Sequence, residues 1–432
     1  MRRLFGNIGW LLGGRGINAV LSLVYLALAT RTLGLDGFGY FAIVVALGQT
    51  VTGIANFQTW QFVVRWGAGA EGPGKATGFA IALDMVSMVG GALIAAVLVW
   101  TAPLWLPLPA ELLWLTFGYC IVSLLSIRTT PTGLLRLRFR YAQATAAEAV
   151  QPVIRATGAV LAVYFLPTVA GFVIAWAASE VCVTIALWIA AARSERVDLS
   201  QISLLAIPRA HRGVWRFVLS TNLSGSLQIA GKQVMILLVG AIGGEAFAGG
   251  FRVAAQLGQA LVQLAQTVSK AIYPELVHAK ENAQAIARRM ANIALVAGVV
   301  AVVVAILAGR WGLEAIAGPE FTVVYWAMVI LAIGGAVELV GASLESLLVS
   351  AGRAGTALLC RALPMALAFA LLDTAMGWQG LKGAALCVLG ASALAVFGFW
   401  IAILQLQAIR IEVDAPEDGE ALPPPAPSPP AR

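Results

Sequence analysis

Residues 289–309, with the sequence RMANIALVAGVVAVVVAILAG, decide the fold of this chain. The twenty residues 290–309 carry no charge, and a helix of that length crosses the hydrocarbon core of a bilayer, which is about 30 Å thick. Similar runs recur along the chain, which is 60% apolar and only 11% charged, against about 25% charged in soluble proteins. This composition excludes a set of soluble domains and predicts an all-α integral membrane protein.

Twelve apolar runs bounded by proline, glycine and charge predict twelve transmembrane helices. They cover residues 8–32, 39–65, 76–101, 112–133, 145–166, 168–192, 215–242, 246–272, 289–309, 321–350, 355–377 and 381–408. With the N-terminus in the cytoplasm, 21 basic residues lie in cytoplasmic segments, and only Arg31, Arg310 and Lys382 face outward. Because basic residues concentrate in cytoplasmic loops, this asymmetry predicts cytoplasmic N- and C-termini.

The longest polar interval predicts a division into two lobes. We expect an N-terminal six-helix lobe at 1–192, a cytoplasmic linker at 193–216, a C-terminal six-helix lobe at 217–410 and a disordered, proline-rich cytoplasmic tail at 411–432. A shift of 210 residues aligns Gly34 with Gly244, Gly39 with Gly249, Phe41 with Phe251, and Leu47-Gly48-Gln49 with Leu257-Gly258-Gln259. This alignment predicts an internal repeat whose two halves share one orientation in the membrane.

A polar stripe on the eighth predicted span is the strongest candidate for a functional site. Its members follow at steps of 4, 3, 4 and 3 and are Arg252, Gln256, Gln259, Gln263 and Gln266. This spacing places all five side chains on one face of a helix, and such a face should not contact lipid.

Further polar residues in other spans indicate a cleft between the lobes. Arg15 and Asn18 lie in the first span and Lys232 lies in the seventh. If Arg15, Lys232 and Arg252 converge, the cleft binds an anionic group, because guanidinium and ammonium groups in a low dielectric attract phosphate strongly. Two other interpretations stay open: polar stripes also form hydrogen bonds between helices, and Arg15 and Lys232 are close enough to a helix end to snorkel to the interface.

Ionisable residues within the spans provide candidates for ion coupling. Glu148 and Arg155 share a face of the fifth span, and Glu338 and Glu345 lie two turns apart on the tenth. These residues either take part in coupling to a H⁺ or Na⁺ gradient or serve as counter-ions. The four cysteines show no paired spacing, no nucleotide-binding motif is present, and the basic residues are scattered, so we expect no metal, no cofactor and no nucleic acid partner.

Two motifs resemble a known family. The first is the turn Leu33-Gly34-Leu35-Asp36-Gly37-Phe38-Gly39, and the second is Asn56-Phe57-Gln58-Thr59-Trp60-Gln61, followed by Arg65 and Gly67. Together with the twelve-span count and the basic linker, they resemble the polysaccharide transporter family of oligosaccharide flippases. This family is part of the multidrug/oligosaccharidyl-lipid/polysaccharide (MOP) exporter superfamily.

The resemblance implies two six-helix lobes that form a V around a cationic lumen. It implies a protein that moves undecaprenyl-pyrophosphate-linked oligosaccharide across the inner membrane for O-antigen, capsule or exopolysaccharide synthesis, with membrane lipids, a polysaccharide polymerase and glycosyltransferases as partners. A relative that flips a lipid-linked precursor carries functional arginines on its first, second and eighth helices. Arg15 and Arg252 lie on corresponding helices, but the second span offers only Gln49, Asn56, Gln58 and Gln61.

Two alternative functions remain at this point. A multidrug antiporter with the same fold would prefer acidic groups in its lumen. A membrane-embedded polysaccharide polymerase or ligase is an enzyme and would carry a sizeable outward loop. The clearest outward loop, residues 102–111, is short and proline-rich, so we expect a transporter rather than an enzyme.

Overall fold

A computed structural model describes residues 2–69, 71–195, 198–211, 213–277, 283–350 and 353–414. Within these ranges no strand is present, and the chain forms fifteen α-helices. They are α1 (Arg2–Ala55), α2 (Thr59–Gly67), α3 (Gly72–Thr101), α4 (Leu113–Leu125), α5 (Thr129–Leu137), α6 (Tyr141–Glu148), α7 (Val150–Phe165), α8 (Val169–Ser194), α9 (Ala206–Ala210), α10 (Val214–Gly243), α11 (Glu245–Val277), α12 (Ala283–Ile316), α13 (Tyr325–Ser350), α14 (Ala354–Gln379) and α15 (Leu381–Asp414).

The lengths and compositions of these helices fit a membrane protein. In the described part of the chain, nine helical stretches are long and apolar enough to cross a membrane. The first stretch, Val20–Gly67, contains parts of two predicted spans. The backbone leaves the helical conformation at Gly34, between those two spans. The segment Ile229–Gly243 is a shorter apolar helix within the seventh predicted span. The all-α membrane class is therefore confirmed, whereas the count of twelve spans stays a prediction.

Three of the predicted spans are interrupted. α1 ends at Ala55 and α2 begins at Thr59, while α4 ends at Leu125 and α5 begins at Thr129. A third interruption, at Ala149, separates α6 from α7. Each interruption leaves polar backbone groups at a helix end without partners from their own helix, so it marks a place where side chains or ligands interact with the backbone.

Exposed apolar side chains show which faces contact lipid. On α3, Val89, Leu93 and Val97 follow one another at steps of four residues and are 67%, 67% and 64% exposed. A stripe of exposed valine and leucine at helical spacing is unfavourable in water and favourable in a bilayer. The opposite face of the same helix carries the buried residues Gly91 and Ala95.

The helices form two groups, which we call the N half (α1–α8) and the C half (α10–α15). α1 packs on α3, α4, α7 and α8 of its own half and also on α10 and α11 of the other. In the C half, α13 packs on α11, α12 and α15, and α14 packs on α15. The largest core cluster includes the aromatic rings of Phe38, Phe41 and Phe172 and continues into α10 and α11. The two halves are therefore joined mainly through α1.

The segment between the halves packs against the N half. Ile207 of α9 is fully buried beside Phe62 and Phe79. At the surface, Glu71 interacts with Lys75 and with His211 of this segment, and these hydrogen bonds lower the pKa of the Glu71 carboxyl. The predicted disordered tail is described only to Asp414, where α15 ends, and its residues 415–432 lie outside the described part.

Candidate functional site

The two halves have the same backbone break at aligned positions. Gly34 adopts φ 68° and ψ −172°, and Gly244, 210 residues later, adopts φ 89° and ψ 179°. This combination of angles is essentially restricted to glycine. At Gly34 the break divides α1 into two helices, and at Gly244 it separates α10 from α11. The residues that carry the predicted repeat thus perform the same structural role twice.

The halves contact each other through equivalent residues. A Cβ on Gly39 would lie 2.1 Å from the carbonyl oxygen of Glu245, and a Cβ on Gly249 would lie 3.1 Å from that of Leu35. Since Leu35 aligns with Glu245 and Gly39 with Gly249, each half makes the same contact with the other, as in a two-fold symmetric interface. A Cβ on Gly249 would also lie 2.9 Å from the Cα of Gly39. The two glycines therefore meet on the pseudo-two-fold axis.

Arg252 lies in this contact and not in an open chamber. Arg252 is 8% exposed, and one of its guanidinium nitrogens donates to the carbonyl oxygen of Ala42 at 3.2 Å. Ala42 is the residue that aligns with Arg252. The guanidinium carbon lies 5.4 Å from the ring centroid of Phe41 and 5.3 Å from that of Trp176.

The expectation that Arg252 lines a wet lumen is thus not met in this conformation. The physical reason is that aromatic faces and a backbone carbonyl of the N half replace water around the planar guanidinium group. These partners lie far away in the sequence, so the helical spacing of the stripe could not reveal them. A role for Arg252 in capturing a substrate stays a prediction.

The rest of the polar stripe becomes more exposed along α11. Gln256 is half-buried, whereas Gln259 and Gln263 are exposed. The side chain of Gln266 lies outside the described part of the structure. Because exposed amides on a membrane helix are costly in lipid, this face of α11 is suited to a polar solvent or a polar solute.

The other predicted binding residues are only partly described. Lys232 is exposed on α10, and Asn18 is half-buried on α1, where its carbonyl oxygen accepts a hydrogen bond from Ser22 at 2.8 Å. The Arg15 side chain is outside the described part. Arg252 is enclosed between the halves, whereas Lys232 is exposed, and their convergence on one ligand stays a prediction.

A network of charges within the N half corrects one predicted pair. Glu148 is exposed at the end of α6 and is not the partner of Arg155. Instead, Arg155 on α7 donates to Glu180 on α8 at 2.8 Å, and Arg128 forms a second ion pair with the same carboxylate. Glu148 and Arg155 lie on either side of the turn at Ala149, and Glu180 on α8 is the carboxylate that contacts Arg155.

Further contacts hold the Arg155 guanidinium in place. Its Nε donates to the Ser179 hydroxyl at 3.1 Å, and its carbon lies 3.5 Å from the ring centroid of Trp176. Gln151 donates to Glu180 at 3.0 Å. Trp176 thus contacts both Arg155 and Arg252, so it links the charge network of the N half to the contact between the halves.

The carboxylates of the C half have polar partners. Glu345 on α13 accepts a hydrogen bond from Arg361 on α14 at 2.6 Å, and Glu338 accepts one from Ser392 on α15 at 3.2 Å. Among the residues whose placement is described, no group of three or more histidine, cysteine, aspartate or glutamate side chains could hold a metal ion.

The sequence offers Glu180 as a candidate counter-ion but does not reveal its partners, because they lie on other helices. It places Arg128 in a cytoplasmic segment, whereas in the structure Arg128 lies at the N-cap position of α5 and reaches Glu180. The available signal was the position of Arg128 next to Thr129-Thr130-Pro131, a sequence that can interrupt a span and begin a new helix.

Comparison with known proteins shows the same fold in transporters. The lipid II flippase MurJ in an inward closed conformation superposes with a TM-score of 0.70 at 11% identity, over 95% of this chain and 94% of that protein. A multidrug resistance MATE family transporter of the MOP superfamily, in an inward-facing conformation, superposes with a TM-score of 0.65 at 14% identity, over 94% and 96% of the two chains.

Sequence comparison extends this result. The inner membrane protein YghQ of Escherichia coli (strain K12) is 30% identical over 290 residues, which cover 64% of this chain and 81% of that protein. Residues 4–280 match the polysaccharide biosynthesis protein family.

The helical fold shared with these two proteins and the nine apolar helical stretches of the described residues define a multi-pass inner-membrane protein. By their names, the two structural neighbours are a flippase and a multidrug resistance transporter. More particularly, this chain belongs to the polysaccharide biosynthesis protein family.

Proposed function

We propose that this protein is a flippase that moves polyprenyl-pyrophosphate-linked oligosaccharide from the cytoplasmic to the outer leaflet of the inner membrane. The observation that carries the proposal is the amide face of α11, with Gln256 half-buried and Gln259 and Gln263 exposed, in a chain of the polysaccharide biosynthesis protein family. Amide side chains can donate and accept hydrogen bonds, which suits the hydroxyl groups of a glycan.

The two-half construction supports transport by alternating access. A transporter built from two parallel repeats exposes its site by rocking one half against the other. The close approach of α1 and α11 at Gly39 and Gly249 leaves room for neither side chain, so it is suited to be the point about which the halves rotate. The exposed Lys232 and the Arg15 side chain are the proposed contacts for the pyrophosphate, and the polyprenyl tail stays in lipid.

The decisive experiment is deletion of the gene followed by analysis of lipid-linked glycans. We expect surface polysaccharide to be lost and its lipid-linked repeat unit to accumulate in the cytoplasmic leaflet, where it is protected from reagents added outside. A loss of lipid-linked units altogether would instead indicate a role in their synthesis. Unchanged glycans together with increased sensitivity to cationic drugs would favour the multidrug antiporter.

Complementation with variants tests the amide face itself. We expect the double variant Gln259→Ala/Gln263→Ala to export about tenfold less polysaccharide at normal protein level, because two hydrogen bonds to the glycan are lost. The matched control is Gln379→Ala, since Gln379 is also an exposed glutamine but lies at the end of α14, away from the stripe. Equal export by the double variant and the control would remove the stripe from the proposed site.

A further inference from the structure

A buried carboxylate lies where two interrupted helices of the N half meet. Asp84 on α3 is only 1% exposed. Thr59, the first residue of α2, donates to its Oδ1 at 3.4 Å, and Thr130, in the first turn of α5, donates to its Oδ2. Thr59 directly follows the interruption between α1 and α2, and Thr130 is the second residue after the one between α4 and α5. The hydroxyl donors and the helix N-termini favour the ionised form of Asp84, whereas its burial opposes it.

The Asp84 carboxyl group has no cationic partner in the described structure. The ion pairs of the N half involve Glu71, Glu180 and Glu195 and do not include Asp84. Placing an unpaired carboxylate in the membrane interior costs free energy, so such a group is normally paired with a cation or protonated. The hydroxyl groups of the threonines solvate the carboxylate, but they do not neutralise it.

A small cavity lies directly beside Asp84. It has a volume of about 10 Å³ and is lined by Thr52, Asn56, Asp84, Ser87, Leu124 and Ile127. That volume holds a single particle the size of a water molecule. Four of the six lining residues carry side-chain oxygens.

One of these oxygens has an unmet hydrogen-bonding requirement. The Ser87 hydroxyl is buried and has no hydrogen-bond partner, and its residue is 7% exposed. Ser87 lies three residues after Asp84, so both side chains are on the same face of α3 and border the same cavity. The Thr52 hydroxyl donates to the carbonyl oxygen of Gly48 at 3.0 Å, which leaves its own oxygen able to accept or to coordinate.

Two helix C-termini also border the cavity. Asn56 directly follows the end of α1, and Ile127 follows the end of α4. The last carbonyl groups of a helix lack partners within that helix, and together they carry a partial negative charge. The cavity thus lies at two helix C-termini beside a carboxylate, an arrangement that membrane transporters use to coordinate cations.

We propose that this cavity binds one Na⁺ ion, coordinated by the Asp84 carboxylate and by side-chain oxygens of Ser87, Thr52 and Asn56. A monovalent cation is favoured because one carboxylate neutralises one positive charge and because the cavity holds only one small particle. Oxygen ligands of this kind suit hard cations. The idea that this site couples Na⁺ entry to transport rests on the function proposed above, whereas the binding itself does not.

The binding site has a mechanical consequence. Its residues lie on α1, α3 and at the end of α4, and its threonines begin α2 and α5. An ion at this position would draw the two interrupted helices towards α3. Since α1 also forms the contact with the C half, ion binding in the N half can influence how the halves pack.

The test uses the full-length protein purified in detergent at fixed pH and ionic strength. Thermal unfolding is measured while choline chloride is replaced by NaCl or KCl, and binding of ²²Na⁺ is measured directly. For the wild type we expect saturable ²²Na⁺ binding at one ion per chain and a Na⁺-dependent rise in Tm of about 2–5 °C. We expect Asp84→Asn to abolish both effects and Ser87→Ala to weaken Na⁺ affinity at least about threefold.

The control is Asp373→Asn, because Asp373 is an exposed aspartate on α14 and should leave Na⁺ binding unchanged. The proposal is overturned if the wild type does not bind Na⁺ or if Asp84→Asn still binds it. It is also overturned if the Tm responds to pH but not to Na⁺, which would mean that Asp84 takes up a proton. If Asp84→Asn does not fold, Ser87→Ala and Thr52→Val decide, and unchanged Na⁺ affinity in both overturns the site.

The outcome can be separated from that of the proposed function. Na⁺ binding without the deletion phenotype would support the Na⁺ site and contradict the proposed flippase function. The deletion phenotype without Na⁺ binding would retain the flippase and remove the site.

Discussion

At the scale of single residues, the charges of the N half form one cooperative group. Glu180 is the shared acceptor for Arg128, Arg155 and Gln151, and its side chain is only 12% exposed. Two guanidinium groups on one carboxylate leave a net positive charge, which the face of Trp176 partly stabilises. Removal of Glu180 would take away the ion-pair partner that both arginines share.

We therefore predict that Glu180→Gln destabilises the protein by on the order of 3 kcal/mol, the usual cost of removing one partner from a buried ion pair. The measurement is the free energy of unfolding of the purified protein in a denaturing detergent. Glu148→Gln is the matched control, since Glu148 is exposed, and we expect a change within about 0.5 kcal/mol. A larger effect for Glu148→Gln than for Glu180→Gln would contradict the assignment of the counter-ion.

At the scale of elements, two glycines determine where the helices break. A residue other than glycine at the backbone angles of Gly34 or Gly244 costs about 1–3 kcal/mol. Space does not explain this cost, because a Cβ at Gly244 would meet nothing within 4 Å, and one at Gly34 would meet its nearest neighbour at 3.6 Å. The penalty belongs to the backbone alone.

We predict that Gly34→Ala and Gly244→Ala each lower the free energy of unfolding by about 1–3 kcal/mol. Gly118→Ala serves as the control, because Gly118 is helical in α4 and its Cβ would meet open space, so alanine should be neutral or stabilising. Full stability of both breakpoint variants would show that the breaks do not require these angles.

The elements also show how far a sequence can predict such a fold. The apolar runs, the turn at Gly34 and its repetition at Gly244 follow from local composition and from the alignment by 210 residues, and all of them can be recognised without coordinates. The partners of Arg252 and Arg155 could not be recognised. Ala42, Phe41 and Trp176 reach Arg252 through packing between distant helices, which helical spacing does not encode.

The interruptions were hidden for a related reason. Residues 56–58 and 126–128 are unwound, although each lies within a continuous apolar run. A span is recognised from its total hydropathy, and three residues without helical hydrogen bonds change that sum very little. Their polar contacts, including those of Thr59 and Thr130 with Asp84, become visible only when three helices are assembled.

At the scale of the whole molecule, the halves are joined along α1 and α10 as well as at the crossing of α1 and α11. A Cβ on Gly53 would lie 3.3 Å from the Cβ of Ala230, so these two positions face each other across the halves. The distance is close to the usual Cβ separation of a disulfide, about 3.5–4.5 Å. A covalent link at this point would fix the halves in one arrangement.

We predict that Gly53→Cys/Ala230→Cys, with Cys120, Cys182, Cys360 and Cys387 replaced, loses polysaccharide export on oxidation and regains it on reduction. The control keeps Cys360 and adds Gly398→Cys, because a Cβ on Gly398 would lie 3.3 Å from the Cβ of Cys360 within the C half. That link should leave export intact. Export by the oxidised Gly53→Cys/Ala230→Cys protein would argue against rocking of the halves at this contact.

The meeting of Gly39 and Gly249 also sets the scale of any such movement. Gly53 lies fourteen residues further along α1, or about 21 Å at the helical rise per residue. With a fulcrum at the paired glycines, each rotation of about 10° displaces the level of Gly53 by about 4 Å, while the fulcrum itself stays closed. The gap at the level of Gly53 can then widen by several ångströms while the two glycines stay in contact.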